Sequence, residues 1–235
     1  MDLENKLLET IAEYDVPVKG VWIGLYWTAV QSLYSGMSHT YKTSQKINIA
    51  NAGELTSFTA LSLAKRILSW QPLESSIGVA AINSLIEPKG KPGNIKEYIK
   101  DKTKNKTVTI IGQFPFNDEI SAIARKAYLL EIEPAADELP MMACEEVMPK
   151  SDICVISATA LINHTLQRLL QLSSKGISIV LGPSTPMSQV LFDFGADILA
   201  GVRVNDNESL VKSITQGVKK FDRLNGMESI FLFKK

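Results

Sequence analysis

Two short loops concentrate the groups that can do chemistry in this chain. One runs Ser157-Ala-Thr159-Ala-Leu-Ile-Asn163-His164-Thr165 and the other Gly182-Pro-Ser184-Thr185-Pro186. Between them they offer hydroxyls, a carboxamide and an imidazole. Two prolines stiffen the second loop, and a rigid loop loses less entropy when it binds something. Pro186 suits the first position of a helix, with Thr185 as its cap. Asn163 or Thr165 would equally cap a helix that follows the first loop. A helix start also attracts anions, so capping and ligand binding are compatible there. His164 is a candidate general base or metal ligand, although a lone histidine at a helix start is more commonly an exposed bystander.

The elements that must position these loops are legible on either side. Ile153–Ile156 and Ile177–Leu181 are short, apolar and partly β-branched, without polar alternation. Strands covered on both faces look like this. Between them, Leu166, Leu169, Leu170 and Leu172 give roughly helical spacing over Asn163–Ser174, which Gly176 stops. Strand, helix, strand makes a βαβ unit with parallel strands. In open parallel sheets ligands bind beyond the carboxyl ends of the strands, so both loops should rim one crevice.

The alternation continues through the second half of the chain. Val108–Ile111 reads as a strand ending at Gly112, Gln113–Asp118 as a loop, Glu119–Ala127 as a helix and Tyr128–Ile132 as a strand ending at Glu133. A short helix near Met141–Met148 precedes the βαβ unit. After it come a helical turn over Ser188–Phe194, a strand over Asp197–Val202, a helix over Asn207–Phe221 and a strand over Glu228–Phe233. The pattern is that of an α/β fold with a doubly wound parallel sheet.

Gly112 and Glu133 invite a comparison with dinucleotide folds, where a carboxylate about twenty residues beyond the first strand grips ribose hydroxyls. The glycine fingerprint is absent: Gly112 is followed by Gln-Phe-Pro-Phe, whose bulk keeps backbone away from a pyrophosphate. An adenosyl ligand such as S-adenosylmethionine needs no pyrophosphate site and fits better than a nicotinamide dinucleotide. The plain alternative for Glu133 is a solvated strand end.

The first half has a different order. Leu3, Leu7, Leu8, Ile11 and Ala12 recur at helical spacing, so residues 2–14 read as an amphipathic helix. Val18–Val30 is rich in aromatic and β-branched residues and reads as a strand, with Gln31–Tyr34 as its partner or continuation. Gly36–Tyr41 reads as a polar loop carrying His39. Thr56–Trp70 reads as a helix, and Ser75–Leu85, small and apolar and carrying Asn83, as a second. This is a smaller α+β domain. Glu87–Lys106 is dense in Lys, Pro and Gly, which puts the boundary near Pro92–Gly93 and the domains at 1–92 and 93–235. Asn94 caps a short helix carrying Ile95, Tyr98 and Ile99.

Composition narrows the partners. In 235 residues, Lys+Arg and Asp+Glu number 25 each and hydrophobic residues make up 45%. The balance leaves no basic footprint for nucleic acid and no polybasic membrane signal. No apolar stretch approaches about 18 residues, so no transmembrane helix is expected, and a cytoplasmic protein is the default. The soft metal-ligand candidates are His39, His164, Cys144, Cys154 and the methionines of 141–148; they form no CxxC or HxxxH pair. Such sulfur ligands suit copper(I) or similar ions, but methionine at this spacing is commonly core filler. Leu191, Phe192 and Phe194 suit either the core or a homo-oligomer contact.

Taken together, Thr159-Ala-Leu-Ile-Asn163-His-Thr165, Gly182-Pro-Ser-Thr-Pro186 and Gly195-Ala-Asp-Ile-Leu-Ala-Gly201-Val resemble the "putative heavy-metal chelation" family. Gly112-Gln-Phe-Pro115, Glu133 and Met148-Pro-Lys-Ser-Asp152 match it as well. In the first half, Trp22-Ile-Gly24-Leu, Gly53-Glu-Leu and Gly78-Val-Ala-Ala-Ile-Asn83 resemble its amino-terminal domain. The resemblance covers nearly the whole chain. It implies an enolase-amino-terminal-like first domain, a Rossmann-like second domain and a cleft between them. It also implies a link to metal chelation and to corrinoid or tetrapyrrole metabolism. Carried over by motif, the ligand-binding residues are Asn83, Gly112, Glu133, Thr159, Asn163, Thr165, Gly182, Ser184 and Thr185. Hydroxyls, amides and one carboxylate suit an organic ligand, or a metal already inside an organic chelate, better than a bare soft ion.

Overall fold

The computed structural model describes residues 2–41 and 48–235. The chain builds an α/β fold with two sheets, one of three strands and one of eight.

Helix α1 (Leu3–Thr10) starts at Asp2, whose carboxylate accepts from the Asn5 amide at 2.9 Å. It buries Leu3 and Leu7. The expected single strand over 18–30 is two: β1 (Gly20–Ile23) and β2 (Trp27–Gln31) pair antiparallel. The chain turns between them, and Gly24 lies so close to the Ile214 carbonyl that a Cβ would come within 2.6 Å of it. The expected loop at 36–41 is largely a third strand, β3 (Ser35–His39), paired with β2. Ser, Gly and Ser carry no strand propensity, but Gly36, Met37 and Ser38 are buried against the helix behind them. A Cβ on Gly36 would meet the Ala80 carbonyl oxygen at 2.2 Å.

The expected helix over 56–70 is one short α-helical stretch, α2 (Ala60–Ala64), flanked by tighter 3-10 turns at Leu55–Ser57 and Lys65–Leu68. Thr59 caps α2. Helix α3 (Pro72–Leu85) begins with proline at its first turn, where no amide is needed. It is buried along most of its length because β2 and β3 cover one side and α2 the other.

The linker contributes β4 (Lys91–Pro92), an edge strand of the large sheet. There follow α4 (Lys96–Thr103), β5 (Thr107–Ile111), α5 (Asn117–Ile123), β6 (Lys126–Glu131) and β7 (Leu139–Pro140). Then come α6 (Cys144–Val147), β8 (Ile153–Ser157), α7 (Thr159–Ile162), α8 (Leu166–Leu172) and β9 (Ile177–Leu181). The chain continues through α9 (Gln189–Asp193), β10 (Ile198–Val204), α10 (Asn207–Thr215) and β11 (Met227–Phe233). The large sheet runs β4-β11-β10-β9-β8-β5-β6-β7. It is parallel from β10 through β7, with β11 antiparallel to both neighbours. Each outer edge is a stub of two residues that contains a proline.

Several boundaries differ from the sequence pattern. Helix α5 starts two residues earlier than expected and stops at Ile123, so β6 starts at Lys126 and closes at Glu131. The expected helix over 163–174 starts later: α7 ends at Ile162 with Asn163 as its cap, His164 takes a left-handed φ of 61°, and α8 begins only at Leu166. Helix α10 ends at Thr215, and Gly217 follows with φ 75°.

The two units share one core. Leu3, Leu7, Leu63, Ile77 and Ile82 form a single buried cluster with Ile156, Leu161, Leu170, Leu191 and Phe192. The opposite face of the large sheet is covered by α4 and α5 through Ile95, Ile99, Phe116 and Ile120. Leu191 and Phe192 therefore belong to the interior.

Candidate functional site

The large sheet reverses its winding between β5 and β8. From β5 the chain moves outward to β6 through α5, on one face of the sheet. From β8 it moves the other way to β9 through α7 and α8, on the other face. The connections leaving β5 and β8 therefore diverge, which is where the ligand crevice of such a sheet is expected.

Gly112 stands at that switch point, at the end of β5. Its φ of 108° is a conformation that side chains disfavour, and a Cβ there would lie 2.7 Å from the Ser157 Cβ. The Ser157 and Thr159 hydroxyls are 2.8 Å apart. On the other side, Asn117 at the start of α5 donates through Nδ2 to the Gly112 carbonyl at 3.1 Å. Its Oδ1 is buried and has no donor among the described residues. Phe114 and Phe116 stack in parallel, 5.4 Å between centroids, above the same loop.

The carboxylate at the end of the neighbouring strand is Glu131. Glu133 lies two residues beyond the strand and is exposed. Burial pushes the Glu131 carboxyl above the usual range, and the backbone amides of Ile132 and Gln113 oppose that shift. The Gln113 amide belongs to the loop after Gly112, so Glu131 faces the crevice loop.

The other expected residues fall into two further groups. Asn83 donates to the Met37 carbonyl at 2.8 Å and to the Ser184 carbonyl at 3.3 Å. The Ser184 hydroxyl accepts the His39 amide at 2.9 Å, and the Thr185 hydroxyl donates to the Ala200 carbonyl at 3.0 Å. Asn83, His39 and Ser184 thus join β3 and α3 to the loop after β9. A void of about 10 Å³ remains beside Asn83 and Thr185, room for about one water. Gly182 opens this loop with φ 126° and free space where a Cβ would be. The His39 ring packs edge-on against Trp27, with centroids 5.5 Å apart.

The third group is the corner between α7 and α8. Asn163 Oδ1 accepts the Thr165 hydroxyl at 2.7 Å and its amide at 3.3 Å, which closes a local turn. His164 Nε2 lies 3.0 Å from the Ser69 carbonyl and Nδ1 lies 3.6 Å from Glu4 Oε1. Its ring also packs on Trp70, with centroids 4.7 Å apart. Only Gly112 and Thr159, of the residues singled out in the sequence, lie directly at the β5/β8 crevice. Ser157, Asn117 and Glu131 join them there. Glu131 escapes the sequence reading because the strand ends one residue earlier than the apolar pattern suggests.

Soft-metal chemistry is poorly served by the thiols. Burial pushes Cys154 up to about 12 and raises Cys144 as well. A metal would have to displace a proton from each before binding. Among the described residues, no three His, Cys, Asp or Glu side chains converge on one point. The donors at the crevice are oxygens.

Two family models, both described as "putative heavy-metal chelation", match the chain, at residues 5–86 and at residues 95–227. The chain belongs to this family. Two solved structures of proteins with unknown function from the DUF364 family, the model that matches residues 95–227, share its fold. That from Desulfitobacterium hafniense is 23% identical with a TM-score of 0.88, covering 99% of this chain and 98% of that one. That from Pyrococcus horikoshii is 21% identical with a TM-score of 0.76, again covering 99% and 98%. No curated protein matches the chain. No helix among the described residues is long and apolar enough to cross a membrane.

Proposed function

We propose that the protein binds a small organic molecule, free or already holding a metal, at the carboxyl edge of the large sheet between β5 and β8. The observation that carries this reading is the build of the crevice. Gly112 takes a positive φ with no room for a Cβ beside Ser157, and Asn117 offers a buried acceptor with no donor among the described residues. A half-buried carboxylate, Glu131, stands at the adjoining strand end. A buried carbonyl left without a donor costs about 1–3 kcal/mol. A ligand N–H or O–H would satisfy it.

The chemistry favours hydroxyl- and amine-bearing ligands. Glu131 can accept from ribose-type hydroxyls, the Ser157 and Thr159 hydroxyls can donate or accept, and the paired phenylalanines give an apolar ledge. An adenosyl compound fits this set. The family description is met without direct metal ligands if the metal arrives inside an organic chelate, such as a corrinoid or another tetrapyrrole.

The test has two parts. Native mass spectrometry on protein purified without oxygen and without chelators reads any retained small mass. Thermal shift is then measured with S-adenosylmethionine, S-adenosylhomocysteine, cobinamide and hemin. A saturable shift with one of these, lost in Glu131→Gln, is the expected result; at a hundredfold excess over Kd it amounts to about 2.7 kcal/mol. A retained mass equal to a metal ion alone would overturn the proposal.

A further inference from the structure

A second recess lies away from that crevice, at the seam between the small sheet and the end of β10. Its volume is about 290 Å³, at the lower edge of the range for small-ligand pockets. Gln31, Tyr34 and Ser35 of the β2–β3 turn form one wall, Pro88 of the linker another, and Asn205 and Asn207 the third. In the sheet order β10-β9-β8-β5 it stands three strands from the crevice, roughly 14 Å at the usual strand spacing.

The walls are fixed. Arg203 donates to the Pro88 carbonyl at 3.0 and 3.2 Å and to the Gly90 carbonyl at 3.2 Å, and pairs with Glu228 at 3.1 Å. That uses the guanidinium to hold the linker, so it does not point a charge into the recess. The Ser35 hydroxyl donates to Asn207 Oδ1 at 2.9 Å, and Asn207 Nδ2 donates to Gln31 Oε1 at 3.3 Å. This chain orients both carboxamides and leaves hydrogens over. Among the described residues, the Gln31 amide nitrogen and the carboxamide of Asn205, an exposed residue, make no protein hydrogen bond and stay open to a solute. The recess therefore presents several amide donors, a carbonyl acceptor, the Tyr34 ring and the apolar Leu33 and Val204, and no charged side chain.

Charge nearby sets the ligand class: Lys89, which lies near Tyr34, is paired with Glu87 at 2.8 Å. Asp206, between the two lining asparagines, caps α10 by accepting from the Ser209 amide and hydroxyl. Those hydrogen bonds hold its carboxyl below the usual range. It fills the amino end of α10 with a negative charge, which removes that site for an anion.

We infer that this recess is a binding site for a neutral polyhydroxylated molecule of sugar size, held by Gln31, Asn205 and Asn207 against Tyr34. It shares no residue with the crevice, so either site stands if the other fails. Ligand binding here would tie the hairpin of the small sheet to the large unit.

The test is an amide-resolved NMR titration of the full chain with D-glucose and myo-inositol, beside D-gluconate and glucose 6-phosphate. Saturable shifts of the Gln31, Asn205 and Asn207 side-chain amides with a neutral probe, and weaker ones with the anions, are expected. Asn205→Ala should weaken binding roughly three- to tenfold, the range for one net hydrogen bond, with the free protein's melting temperature unchanged. The Asn205 side chain holds no other residue in place, and its backbone bond to Gly226 survives the change, so the variant should fold. No saturable shift with either neutral probe at millimolar concentration, stronger binding of the anions, or unchanged affinity in Asn205→Ala would each overturn the inference.

Discussion

Gly112 carries more of the site than any side chain around it. It needs a positive φ, and it leaves no room for a Cβ against Ser157. Gly112→Ala should therefore cost about 2–4 kcal/mol, the sum of a left-handed penalty and a steric shift. Urea denaturation measures it, and a loss under 1 kcal/mol would mean that the loop moves freely. Cys154 gives a second test at this scale. Its thiol is pushed from 9.0 up to about 12 by burial alone. Below pH 9 the thiol is protonated whether folded or unfolded, and folding is unaffected. Above pH 9 the unfolded chain releases the proton while the folded chain keeps it, so stability falls as pH rises. The slope reaches up to about 1.4 kcal/mol per pH unit. Stability measured from pH 8 to 11 should fall less steeply in Cys154→Ala than in the parent, and equal slopes would remove Cys154 as the cause.

The corner between α7 and α8 acts as a clasp at the scale of elements. Its turn residue, His164, reaches the Ser69 carbonyl, the Trp70 ring and Glu4 of α1 at once. Two separate costs meet in this residue: a left-handed backbone and a partly buried ring. His164→Ala keeps the strain and loses the ring, and should destabilise by about 2–3 kcal/mol. His164→Gly loses the ring but relieves the strain, and should lose about 1 kcal/mol less. If the two variants unfold together, the backbone contributes nothing. This clasp also shows where the sequence stops being readable. The βαβ strands 153–157 and 177–181 stand almost where the apolar runs put them, because a strand covered on both faces must be apolar throughout. Strand β3 was hidden, since its Ser-Gly-Met-Ser-His composition answers to the close approach of α3 rather than to any strand preference. The hydroxyls of Ser184 and Thr185 were visible as chemistry, but their direction was not. Whether a hydroxyl faces a ligand or a backbone depends on which distant strand arrives beside it, here β3 and β10.

For the whole molecule, the shared core predicts that the two units unfold as one. The three tryptophans, Trp22, Trp27 and Trp70, all lie in the first 70 residues, so fluorescence reports the small unit. Most of the strand signal comes from the eight-stranded sheet, so far-ultraviolet circular dichroism reports the large one. The two transitions in urea should superimpose. A fluorescence transition that leads the dichroism would show that the small unit opens alone. A continuous core of this kind is not written in any one segment. The composition shift at 87–106 marks a change of architecture, and it says nothing of how much apolar surface crosses it.

The margins of the large sheet have a further consequence. A parallel sheet of this width would ordinarily offer two long rows of unpaired amides and carbonyls. Here the outermost strands are Lys91–Pro92 and Leu139–Pro140. Where these stubs lie, beside Ile230–Phe231 and Leu130–Glu131, a strand arriving from another molecule would meet a ring with no hydrogen to give. Propagation from one molecule into the next is therefore interrupted at those positions on both flanks.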